Sequence, residues 1–181
     1  MSGGRRAVEV LALALLAACA REPPIEVGAG GSPAEARRQL AQAAARGPVP
    51  IRVLQALERP TTPEVAALAA RGVSGLAVRF QPTADPGSAR LVVALDGLTE
   101  PERICALEPL EAAAAGGPLL AAWCEGSTVV ARVRASGSTD PVQRERLVWR
   151  AAARLFPDDY ADTYGWNLFG LRVTVGGSFG F

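Results

Sequence analysis

The sequence predicts an α+β fold, a mixed α/β arrangement of one mixed, largely antiparallel sheet with about three helices packed on it. Three observations carry this. Three stretches with helical spacing each open on a capping residue followed by proline, at Ser32-Pro33, Thr62-Pro63 and Asp140-Pro141. The apolar runs between them are short and alternate with period two, as strands do. Two of these runs are joined only by Glu125-Gly126-Ser127, a hairpin length. With 181 residues, 49% hydrophobic and 20% charged, the chain is too apolar for a disordered tail and has room for one core.

Taken in order, Ile25-Glu26-Val27 reads as a short first strand. Ser32-Pro33 opens the first helix, with Glu35 placed to close a capping box and Gly47 after its end. Val49 to Leu57 is a strand. Thr62-Pro63 opens the second helix, which stops at Gly72, and Val73 to Phe80 and Arg90 to Asp96 follow as strands. The alanine-rich Glu111 to Ala115 is at most a helical turn. Leu119 to Cys124 and Thr128 to Arg134 are antiparallel neighbours, with Gly126 taking a positive φ between them. In the second of these Val129, Ala131 and Val133 share one face, and Arg132 and Arg134 fall on a wet opposite face. Asp140-Pro141 opens the third helix, with Gln143 at the box position and Pro157 as its stop. Leu168 to Val175 reads as a last strand, and no internal repeat is present.

The N-terminus carries an address. Arg5 and Arg6 form a positive region, and every residue from Val10 to Ala18 is apolar. That is the length of a signal peptide, whereas a membrane-spanning helix needs about 20 apolar residues. The segment ends in Leu16-Ala17-Ala18-Cys19, which resembles the lipobox of bacterial lipoproteins. The resemblance implies cleavage before Cys19 and lipid on its sulfur and amino group. An ordinary signal cut after Ala20 is the alternative, because Ala18-Cys19-Ala20 also fits a small-x-small site. Residues 1–18 are then the signal, 19–31 a tether with Pro23, Pro24, Gly28, Gly30 and Gly31, 32–157 the α+β domain, and 158–181 an aromatic-rich extension. Ala20 after the cysteine slightly favours the outer membrane. The expected location is the periplasmic face of a membrane in the bacterial cell envelope.

Composition removes chemistries. There is no histidine, and all 19 basic residues are arginine. A Ser-His-Asp triad, a histidine zinc site, a Schiff-base lysine and a Walker-type lysine each need a residue this chain lacks. No cofactor and no metal site is expected. Without residues 1–18 the chain keeps 17 arginines and 17 acids, so no global field draws it to nucleic acid. Gly28-x-Gly30 only faintly suggests a phosphate loop, and Pro33 stands where the third glycine of a dinucleotide fingerprint would be, so no nucleotide is expected either.

With Cys19 lipidated, Cys105 and Cys124 remain as an even pair in a compartment where disulfides persist. A bridge is expected; a redox pair would want Cys-x-x-Cys spacing, and a metal site would need carboxylates as further ligands. The acids open to a carboxylate-dependent hydrolase are Asp96, Glu100, Glu102, Asp158 and Asp159. Glu100 beside Pro101, and Asp158-Asp159 after Pro157, are equally at home in turns. Arg146, Arg150 and Arg154 form one stripe at i, i+4 and i+8, suited to anionic headgroups or an acidic partner, or simply a solvated helix face. Of ten aromatic residues, eight lie from Trp149 onward: Trp149, Phe156, Tyr160, Tyr164, Trp166, Phe169, Phe179 and Phe181. Such clustering suits an interaction surface, with core completion as the alternative.

Together the strand Arg90-Leu91-Val92-Val93-Ala94-Leu95, Cys105, the run Ala121-Ala122-Trp123-Cys124-Glu125-Gly126 and the helix end Leu155-Phe156-Pro157 resemble a group of small, uncharacterised bacterial lipoproteins. The resemblance covers about residues 79–157 and the lipobox. It implies lipoprotein status and a Cys105–Cys124 bridge, and supplies no activity; the 24 residues after Pro157 lie outside it. The layout is also similar to periplasmic lipoproteins that assist transporters and to the N-terminal domain of the TolB type. The expected function is that of a lipid-anchored, non-catalytic envelope protein that binds or scaffolds an envelope protein partner. A carboxylate-dependent envelope hydrolase is the alternative.

Overall fold

The computed structural model describes residues 25–27, 31–55, 57–83 and 89–158. Its elements are β1 (Ile25–Val27), α1 (Pro33–Arg46), β2 (Val49–Leu54), α2 (Thr62–Gly72), β3 (Phe80–Pro82), β4 (Ala89–Ala94), a 3-10 turn (Pro101–Arg103), β5 (Leu119–Glu125), β6 (Thr128–Ala135) and α3 (Pro141–Leu155). The strands form one six-stranded mixed sheet in the order β1-β6-β5-β4-β2-β3. Strand β2 runs parallel to both β3 and β4, while β4-β5, β5-β6 and β1-β6 are antiparallel. Parallel neighbours need a crossover, and α2 supplies it between β2 and β3.

All three helices pack on one face of the sheet. The core there joins Ala36 and Leu40 of α1, Val65 and Ala69 of α2, and Leu147, Val148, Ala151 and Leu155 of α3 to Ile51, Leu91, Val93, Leu119, Ala121 and Trp123 of the strands. The helical residues recur at three and four positions, the spacing that puts them on one stripe. Trp123 is fully buried at its centre, edge-on to Phe156 with ring centroids 5.7 Å apart. Its indole Nε1 donates to Gln39 Oε1 at 2.8 Å, so the polar tip of the ring is satisfied and α1 is tied to β5. Phe156 therefore belongs to the core, as one of the two readings of the C-terminal aromatic residues has it.

The caps explain the helix boundaries. Ser32 Oγ accepts from the Glu35 N–H at 3.2 Å and Asp140 Oδ1 from the Gln143 N–H at 2.9 Å. The first box stays half-closed, because the Glu35 carboxylate turns to Gln39 and Arg38 instead. For α2 the cap is Thr61, one residue before the expected Thr62. The Glu64 carboxylate accepts from both the Thr61 N–H (2.6 Å) and its hydroxyl (2.9 Å). Those two hydrogen bonds, led by the backbone one, hold Glu64 below the usual carboxylate range.

Three strand expectations are corrected. Residues 73–79 are irregular, and the strand expected from Val73 to Phe80 is confined to Phe80–Pro82. Pairing decides this: only Phe80, Gln81 and Pro82 have partners on β2, at Val49, Pro50 and Ile51. The strand expected to reach Leu57 ends at Leu54 for the same reason, with Leu54 opposite Ala94 its last paired residue. In β6 the register shifts between Trp123 and Cys124, so that Trp123 faces Ala131 and Cys124 faces Val129. This bulge moves Val129 to the same side as Cys124, away from Ala131 and Val133, with which the alternation had grouped it. The Glu111 to Ala115 segment forms no helical turn, only a bridge between Ala112 and Leu98. At the hairpin, Gly126 takes φ +57°, as the turn requires.

Helices α2 and α3 cross where α2 ends. A Cβ on Gly72 would lie 2.3 Å from the Trp149 carbonyl oxygen and 2.9 Å from the Ala152 Cβ, so the close approach needs glycine. Gly72→Val is expected to force the helices apart and cost about 1–3 kcal/mol. Urea unfolding that gives the same midpoint and slope as the native chain would show that the crossing is not this tight.

Candidate functional site

Among the described residues no α-helix packs on the second face of the sheet. Val92 and Ala94 of β4 and Leu120, Ala122 and Cys124 of β5 are nevertheless buried, because the long β4–β5 connection folds back over them. Ile104, Cys105, Leu98 and Leu110 of that connection supply the covering side chains. A disulfide and two sets of arginine hydrogen bonds hold this loop down. The disulfide joins Cys105 and Cys124, whose Cα atoms are 5.5 Å apart, both residues buried. Arg90, fully buried, donates from Nη2 to the Cys105 carbonyl at 2.7 Å and from Nη1 to the Gly126 carbonyl at 2.9 Å. Arg52 adds the second set from Nη1 and Nη2 to the Ala106 and Glu108 carbonyls at 3.3 Å. Burial lowers the Arg90 pKa, with Arg52 contributing repulsion, yet a guanidinium stays charged at any physiological pH.

At the end of β4 sits a buried ion pair. Arg144 donates from Nη1 to Asp96 Oδ1 at 2.5 Å and from Nη2 to Oδ2 at 3.3 Å, with both side chains essentially without solvent contact. Asp96 Oδ1 also accepts from the Gly116 N–H at 3.0 Å. One carboxylate thus joins the first turn of α3, the end of β4 and the far end of the covering loop. The bidentate fork is the geometry in which arginine binds carboxylate best.

The acids named as hydrolase candidates do not meet at one place. Asp96 is held by Arg144. Glu100 pairs with Arg103 at 2.8 Å, and Arg103 also binds Glu108. Hydrogen bonding to Glu100, then its charge and that of Glu108, raises the Arg103 pKa. Glu102 is exposed on the 3-10 turn. Asp158 lies 3.6 Å from Arg37, whose guanidinium also donates to the Phe156 and Ser74 carbonyls, and Asp159 lies outside the described residues. A shallow cavity of about 200 Å³ opens beside the loop between Leu98, Leu110, Glu100, Arg103 and Glu111. Among the described residues no three His, Cys, Asp or Glu side chains gather as metal ligands would.

The arginine stripe lies on α3. Arg146 and Arg154 are exposed and Arg150 is half-buried. Trp149 is 44% exposed and Val142, two turns earlier, 56%. The Trp149 indole Nε1 donates to the Arg71 carbonyl at 3.3 Å, which lays the ring against the end of α2. Tyr160, Tyr164, Trp166 and Phe169, the remaining candidate partner residues, lie outside the described residues, as do Cys19, the signal segment and the strand expected from Leu168 to Val175. No described helix is long and apolar enough to cross a membrane.

With this geometry in hand, comparison with known protein families, with curated proteins and with solved structures finds no match.

The arginine clamps were invisible to pattern reading. Arg90 stands at the start of the expected strand Arg90 to Asp96, and Arg144 lies in the first turn of the helix opened by Asp140-Pro141. Nothing in their spacing marks them as buried.

Two outcomes are expected of this assembly. Asp96→Ala leaves the Arg144 guanidinium buried without its counter-charge and is expected to cost about 3–5 kcal/mol. The double variant Asp96→Leu/Arg144→Leu should recover much of that loss in urea unfolding; equal destabilisation of the single and double variants would contradict it. Replacing both Cys105 and Cys124 by alanine, a bridge with a sequence separation of 19, is expected to cost about 3 kcal/mol from loop-closure entropy. Amide exchange over residues 98–112 should rise well before that of β5. Unchanged protection there would mean that the arginines alone hold the loop.

Proposed function

We propose that this protein is a lipid-anchored component of the bacterial cell envelope that works by binding, holding or presenting a partner and catalyses no reaction. The single observation that carries this reading is the buried Cys105–Cys124 bridge, which belongs to an oxidising compartment, in a chain that also bears Leu16-Ala17-Ala18-Cys19 behind a nine-residue apolar segment. An exported chain with that tetrapeptide would carry diacylglycerol on the Cys19 sulfur and an acyl chain on its amino group. At ~0.8 kcal/mol per buried methylene, two or more chains keep the domain at a membrane surface.

The disposition of polar groups supports binding over chemistry. The most buried acid, Asp96, is spent on Arg144, and the arginines with the best geometry hold backbone carbonyls of the covering loop. What the domain offers outward is surface: the α3 face with Trp149 and the arginine stripe, and the covering loop with exposed Leu107.

Mass spectrometry of the mature protein from bacterial membranes tests the reading. The expected N-terminal residue is Cys19, with diacylglycerol on its sulfur and an acyl chain on its amino group. An N-terminus at Arg21, or an unmodified Cys19 thiol, would overturn the anchor.

A further inference from the structure

We infer that the outer face of α3 is the surface by which this domain sits on an anionic lipid bilayer, an inference that rests on the anchor reading above for where the domain is held. Val142, Arg146, Trp149 and Ala153 are spaced at four, seven and eleven residues and so share one narrow stripe of the helix, with Arg150 and Arg154 along one side of it and Glu145 along the other. Among the described residues only three large hydrophobic side chains are exposed, and Val142 and Trp149 are two of them. Exposed apolar groups are thus interleaved with cations. Arg71, exposed at the end of α2, stands beside the Trp149 ring. Against these cations α3 sets a single acid outside its cap, Glu145.

Two further features favour a membrane as the occupant. The first is where the chain comes in. Ile25 stands opposite Ala135 at the end of β6, residues 136–139 lead from there to the cap of α3 at Asp140, and β1 itself touches α3. Only five residues separate Cys19 from Ile25, a reach of at most ~22 Å. A lipidated Cys19 therefore keeps the bilayer within reach of the N-terminal half of α3. The second is the charge of the face itself. Arg146, Arg150 and Arg154 stand on α3 against Glu145, so an anionic surface attracts this side. That charge and the position of the tether turn the same face toward lipid. A tryptophan at headgroup depth with arginines around it is the arrangement that interfacial helices use.

The test places the full processed protein, as purified from membranes, in vesicles of phosphatidylcholine alone or with phosphatidylglycerol added. The readout is quenching of Trp149 by a headgroup-level nitroxide lipid, taken as the difference between the native chain and Trp149→Phe. Quenching is expected in the anionic vesicles and should fall away at high salt. Each arginine near an anionic surface shifts the docked-to-undocked ratio by about fivefold, so Arg146→Glu/Arg154→Glu should lower it by more than about twenty-fivefold. Glu145→Arg should raise it. Trp149 left unquenched in anionic vesicles overturns the inference, as does quenching indifferent to lipid charge and to both variants. An unquenched Trp149 whose charge reversal instead releases a co-purifying acidic protein assigns the face to that protein, which also overturns it. The anchor fails separately, in the mass of the N-terminus, and purified protein without lipid can still be scored for binding to the same vesicles.

Discussion

Strands β4 and β5 are apolar on both sides, and the rest of the structure answers that constraint. Val93 and Ala121 face the helices while Val92 and Ala122 face away from them, all four buried. A strand pair of this kind cannot leave either face in water without exposing several hundred Å² of apolar surface, and larger patches of that sort mark sticky or incomplete proteins. One face is covered by three amphipathic helices. The other has only the irregular β4–β5 connection, which cannot satisfy its own backbone as a helix would. It is therefore fastened by side chains: the disulfide from Cys105 to the sheet, and Arg90 and Arg52 to its carbonyls.

The absence of lysine takes on meaning here. A guanidinium is planar, weakly hydrated and presents several donors at fixed angles, so one side chain can bridge two carbonyls from different segments. Arg90 does this between the loop and the hairpin turn, and Arg37 does it between the residues after α2 and those after α3. Arg144 closes the same arrangement at the other end of the loop by taking both oxygens of Asp96. These buried cations mark places where irregular backbone is held, while Arg146 and Arg154 on α3 are exposed.

Much of this was legible in the residues. The helix starts were readable because serine, threonine or aspartate before proline satisfies the first N–H groups by local chemistry, and a local cause leaves a local trace. The β5–β6 hairpin was readable for the same reason, through Gly126. The irregular stretch 73–79 was not, because its apolar residues fit a strand as well as they fit packing beneath α2, and only the absence of pairing beyond Phe80 separates the two. Thr61 displaced Thr62 as the cap because the Glu64 carboxylate could close a box only with the residue three before it. Of the candidate site, the arginine stripe and Trp149 were legible from helical spacing, but that Phe156 leaves the aromatic group for Trp123 was not.

What the sequence determined by itself was the set of elements, their order along the chain and the even cysteine pair, because each depends on neighbours a few residues away. Only the tertiary structure decided which of the similar-looking charges are buried. Asp96 and Glu100 are four residues apart in the same turn-rich stretch, and one is locked to an arginine 48 residues on while the other lies on the surface. The bulge that swings Val129 to the far face, the cover over β4 and β5, and the outward exposure of Val142 and Trp149 are likewise products of long-range pairing. Their cause is physical: burial and counter-charge depend on what the folded chain brings near, and sequence spacing carries that information only within one helix or one hairpin.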